Sequence, residues 1–306
     1  MSAREIVMNR FLLSILCLGL AVDSECPALE VAEKHIDALL QRSRNGNLDS
    51  VLAWRLQALF LTNKAMLQMF HDENQEIESA GTGQEDLQED NTEQTQDASQ
   101  RDFDTALKVL HQAHHLAEAR YKAGFASIDA LFETGAELYH TAQVYAMWYD
   151  AKDMTVPVPS VEELLSQHSC ITKAAAATGD TERRLKADLL RYRYIERRQD
   201  KVVQLQKAKV EWIQNKLHAG MATQWELREA KLDLQESEIF QPIESVDAIR
   251  QRLSSYSTNA AAYYTDMQNA AAAGMDAQAA APGRLLRARL RILNATASLQ
   301  QLEKRN

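Results

Sequence analysis

Glycine and proline are scarce in this chain, 10 and 5 in 306 residues. That excludes a fold of many short elements joined by tight turns and leaves a few long ones. The alternation of apolar and polar residues that marks a half-buried strand is almost absent. Cysteine is limited to Cys17, Cys26 and Cys170, so neither a dense disulfide framework nor a CxxC zinc site is available. No phosphate-binding glycine loop, GxSxG elbow or HExxH pair occurs, and the chain reads as neither an enzyme nor a cofactor protein. Its formal net charge of -9 argues against nucleic acid as a partner, because neutralising phosphates requires an excess of lysine and arginine on one face.

What is present is helix-forming. Ala, Leu, Gln, Glu, Arg and Lys fill most windows after residue 100. At the N-terminus Arg4 and Arg10 precede an apolar run from Phe11 to Val22. That run is short for a membrane span but suits a secretory signal over 1–24, cleaved near Ser24. The mature chain is then expected to be exported. In an oxidising compartment Cys26 and Cys170 could form a disulfide or remain two unpaired thiols.

The fold class expected is all-α, an elongated set of antiparallel helical hairpins in a coiled-coil-like bundle with an internal two-fold repeat and no β-barrel. An N-terminal hairpin covers 25–71. From Asp72 to Asp97 there are ten acidic residues and no Lys or Arg, so 72–100 is expected to be an acidic linker, disordered or loosely helical. A first hairpin covers 101–150, a proline-containing connector 151–180, a second hairpin 181–242 and a C-terminal hairpin 243–306. Within the second, Glu182 to Ala219 contains no Gly or Pro. Leu185, Leu189, Tyr192, Ile195, Val202, Leu205, Ala208 and Trp212 fall at steps of three, four or seven, which predicts one helix about 55 Å long.

Two stretches repeat without a gap at a spacing of 96 residues: "RYKAGFASIDALFETGAEL", from Arg120, and "KLHAGMATQWELREAKLDL", from Lys216. Each reads as a helix, a left-handed glycine turn and a new helix. Gly124 and Gly220 end the first helices, and Phe125 and Met221 are expected to fold back on the preceding turn. Ser127 and Thr223 are expected to cap the second helices, with Glu226 completing a capping box.

These repeated tips resemble those of the TolC-like outer-membrane efflux proteins over roughly residues 103–240. Arg120, Gly124, Ser127 and Leu131 match the first tip; Lys216, Gly220, Thr223 and Leu227 match the second. Trp225 stands where the first copy has Asp129. The resemblance implies a trimer, a periplasmic helical tunnel and contact at the tips with a periplasmic adaptor or inner-membrane transporter. The membrane strands of that family have no counterpart here. The alternative function is a non-transport scaffold or adaptor that binds a partner through its helical faces. Secondary candidates are His111, His115 and Glu118 as a metal site, His218 as a charge switch beside the second tip, and the basic cluster from Arg191 to Lys201 as a contact for an acidic partner.

Overall fold

The computed structural model describes residues 27–46, 48–82, 89–149, 154, 156–239, 246–274 and 282–304. The expected signal segment and Cys26 lie outside them. All regular structure among the described residues is helical: α1 (Pro27–Arg44), α2 (Ser50–Thr82), α3 (Glu89–Lys122), α4 (Ile128–Trp148), α5 (Val161–Thr178), α6 (Thr181–Leu190), α7 (Gln199–His218), α8 (Gln224–Ile239), α9 (Val246–Ala272) and α10 (Pro282–Lys304). A π-helical turn, Arg191–Ile195, follows α6. The chain divides into two compact units. The first gathers described residues within Met1–Leu39, Leu59–Phe103 and Pro242–Asn306; the second is built from Leu40–Ala58 and Asp104–Gln241.

In the first unit, α9 turns a helical stripe of Leu253, Tyr256, Ala260, Tyr263 and Met267 inward, and α10 contributes Leu286 and Leu290. Two polar contacts cross this core. Asn294 donates to Asn63 at 3.0 Å, and Arg289 donates to the Tyr264 hydroxyl at 3.0 Å.

In the second unit, Phe132 of α4, Leu164 and Ile171 of α5 and Ala187 of α6 form one buried cluster. Ile213 of α7 packs on Leu227 and Ala230 of α8 in another. Ser160 caps α5, accepting from the Glu163 N–H at 3.1 Å, and Asp180 caps α6, accepting from the Arg183 N–H at 3.0 Å.

Of the two courses open to the acidic stretch, the described residues take the helical one, through Thr82 and again from Glu89. Glu, Gln and Ala are strong helix formers, and helices that continue from buried segments extend at little cost. One expectation requires correction: the single helix, about 55 Å long by its rise per residue, is absent. The chain leaves helical geometry at Glu196–Arg198, with Arg197 at φ 53°, and α7 runs back toward the start of α6. Lys216 Nζ lies 3.5 Å from Glu182 Oε2, whereas 34 residues of straight helix would separate the two by about 50 Å.

Candidate functional site: the turn end of the second unit

The two repeated tips close in the same way. In the first, the Phe125 N–H donates to the Arg120 carbonyl at 2.8 Å and the Gly124 N–H to that of Tyr121 at 3.0 Å. In the second, the Met221 N–H donates to the Lys216 carbonyl at 2.8 Å and the Gly220 N–H to that of Leu217 at 3.0 Å. This is the Schellman closure, with Gly124 at φ 75° and Gly220 at φ 71° supplying the left-handed residue. The repeat is thus a repeat of backbone geometry as well as of letters.

The starts of the next helices differ. Thr223 and Glu226 form the expected capping box: the Glu226 N–H donates to Thr223 Oγ1 at 3.2 Å, and the Thr223 N–H to Glu226 Oε2 at 2.7 Å. Ser127 occupies the N-cap position but makes no side-chain cap bond; its hydroxyl is engaged with the Asp129 carboxylate instead.

Three ion pairs bring four turns to one end. Arg120 of the first tip reaches Asp49, the residue that begins α2, at 2.8 Å. Asp129 accepts two bonds from Arg183 at the start of α6, at 2.7 and 2.6 Å. The neighbouring Glu182 meets Lys216 of the second tip, whose ammonium also lies 4.3 Å from the Trp212 ring centroid. The turns at Gly46, Gly124, Gly179 and Gly220 therefore adjoin one another in series. Burial would raise the Asp129 carboxyl, but the fork from Arg183 overcomes it and holds the pKa below the ordinary value. Asp49 is held low in the same way by Arg120 and by the N–H groups of Leu52 and Val51, also against burial.

At this end the expected inward fold of Phe125 and Met221 is overturned. They are 86% and 67% exposed, with Tyr121 beside the first at 42%. The Schellman closure fixes the backbone but not the side chain of the residue after glycine, and here that side chain stays largely in solvent. Leu131 and Leu227, matched positions one turn into α4 and α8, are buried and anchor the tips.

Trp225, in the place of Asp129, stacks with Arg228 at 5.5 Å. Exposed basic side chains on the residues flanking the four turns include Arg42, Arg44, Lys122, Arg184 and His218.

The other candidates are placed as follows. His111 and His115 have ring centroids 6.5 Å apart on α3, and among the described residues no group of three possible ligands gathers. Cys170 is exposed on α5. In the basic cluster, Arg191 pairs with Glu196 and Arg198 with Asp200, so these charges are largely used locally.

Sequence reasoning missed a buried polar network further along α4. Arg55 donates to both oxygens of Glu137 at 2.7 and 2.6 Å and to Glu133 at 2.9 Å, and Lys186 also contacts Glu133. Burial alone would lower the Arg55 pKa, but Glu137 and then Glu133 hold it above its usual value. The i, i+4 spacing of Glu133 and Glu137 was the available signal.

Against this geometry, comparison with known proteins adds no identity. No family model, curated protein or solved structure matches the chain.

Proposed function

We propose that this chain is a non-enzymatic helical adaptor that engages an acidic protein partner through the turn end of its second unit. The observation that carries the reading is the pair of outward apolar side chains, Phe125 and Met221, at matched positions of two tips tied to one end by ion pairs. Side chains of this size on rigid turns suit insertion into pockets of a partner. The flanking Arg44, Lys122 and Arg184 complement an acidic rim. Export, expected from the N-terminus, would place that partner in the periplasm.

The tunnel reading comes from the resemblance of the repeated tips, and a long helix feeding the second tip was one feature of it. That segment is folded in two at Arg197, and the apolar residues of α4 to α8 pack within one chain. The geometry therefore favours the adaptor over the tunnel.

A photoreactive residue placed at position 125, at 221 and, as a control, at Met147 near the other end of α4 tests the proposal in cells producing the full chain. The expected result is one common adduct from 125 and 221 and none from 147. Absence of adducts at both tips, or equal labelling from all three positions, would defeat it.

A further inference from the structure

The reversal at Glu196–Arg198 joins two helical segments whose sequence specifies no turn. Glu182 to Ala219 contains no Gly or Pro, so helix is the local preference throughout it. Yet Arg197 sits at φ 53°, the positive-φ residue other than glycine among those described, a conformation a long side chain adopts only when its surroundings impose it. The turn before it is wound too wide for an α-helix: the Glu196 N–H donates to the Arg191 carbonyl at 3.0 Å and the Arg198 N–H to that of Tyr192 at 2.9 Å.

What holds the bend is partly local. The Arg191–Glu196 pair spans it, and Tyr194 stacks on His140 of α4 with centroids 4.7 Å apart. Beyond the bend, α7 and α8 share a seam of their own, Ile213 against Leu227 and Ala230. They can leave α6 as a packed pair.

A short, strained hinge between elements that pack on each other is the condition under which chains exchange identical parts. Straightening the hinge removes the left-handed residue and restores regular helical bonding. The contacts that are lost, such as Glu182 with Lys216, re-form with the same partner residues of a second copy. We propose that the chain forms a domain-swapped dimer in which Glu196–Arg198 becomes continuous helix and the segment after it, α7 to α10, packs into a second copy. A stretch without Gly or Pro suits this extended form, and the left-handed Arg197 belongs to the closed one.

The test uses the full chain with Cys17→Ser, Cys26→Ser and Cys170→Ser, and with Glu182→Cys and Lys216→Cys as a reporter pair. Light scattering over a concentration series gives the dimer fraction, and a short bismaleimide then links the pair. In the closed monomer the link lies within one chain; in the swapped dimer it joins two chains and gives a dimer band on a denaturing gel. The expected result is a dimer fraction that rises with concentration and carries links between chains. Arg197→Val, which disfavours positive φ, should raise that fraction severalfold, and Arg197→Gly, which accepts it, should lower it. Monomer at every concentration in all folded variants, or a dimer whose links stay within each chain, would overturn the proposal. Should Arg197→Val fail to fold, the comparison of Arg197 with Arg197→Gly retains the decision.

Discussion

Gly124 and Gly220 have open space where a Cβ would stand, so replacing either with alanine tests the backbone alone. Gly124→Ala or Gly220→Ala should each lower unfolding free energy by about 1 kcal/mol, the cost of a left-handed non-glycine residue, measurable as a shift in urea midpoint. Phe125→Ser and Met221→Ser should leave that midpoint within about 0.5 kcal/mol of the parent, because exposed side chains contribute little to folding, while abolishing adduct formation at the opposite tip. His140 supplies a pH prediction. Burial, with Arg197 and Arg193 nearby, pushes its pKa down to about 3. The unfolded chain therefore binds a proton that the folded chain refuses as pH drops below the ordinary histidine value. Stability is retained above about pH 6.5 and falls toward pH 3, with a slope of at most about 1.4 kcal/mol per pH unit from this group. His114, also pushed down first by burial, acts in the same direction. In urea titrations at pH 7 and pH 5, His140→Phe should flatten the dependence. At this scale the glycines were legible because φ above zero leaves few alternatives. The outward course of Phe125 and Met221 was not legible, because the letters do not say whether a turn meets a neighbour able to receive an apolar side chain.

Among the elements, α4 carries the largest polar burden. Arg55 reaches it from α2, and truncation to Arg55→Ala would leave Glu133 and Glu137 inadequately paired against Lys186. A loss of about 2 kcal/mol is expected, below the full cost of breaking a buried pair because the site retains some solvent. Arg55→Met, which keeps volume without charge, should recover little of it. Helix ends were partly readable: Thr223 caps α8 with Glu226 as expected, whereas Ser127 stands at the N-cap of α4 without a side-chain cap bond. The reversal after α6 was not readable. Neither Gly nor Pro marks it, and a left-handed arginine is not a local preference that sequence reveals. The helical course of the acidic stretch has the opposite cause. Charge composition left coil and loose helix both open, and the propensity of Glu, Gln and Ala decides for helix.

For the molecule as a whole, the all-helical class followed from the scarcity of Gly and Pro, whereas the path of the chain followed from long-range pairs that no spacing encodes. Asp49 with Arg120, Asp129 with Arg183 and Glu182 with Lys216 decide that the turns of the second unit share one end. On that arrangement rest both the docking surface and the rejection of a long helix into the second tip. Because Asp49 and Asp129 are held below the ordinary carboxylate pKa by their arginines, the first two pairs persist at neutral pH and are lost as acid protonates the carboxylates. The most direct test is the distance between spin labels at positions 182 and 216 in a dilute, monomeric sample. A short separation, under about 20 Å once the label arms are allowed for, is what the folded-back chain predicts. A separation near 50 Å, the span of 34 residues of straight helix, would contradict the reversal at Arg197 and restore the continuous helix expected from the sequence.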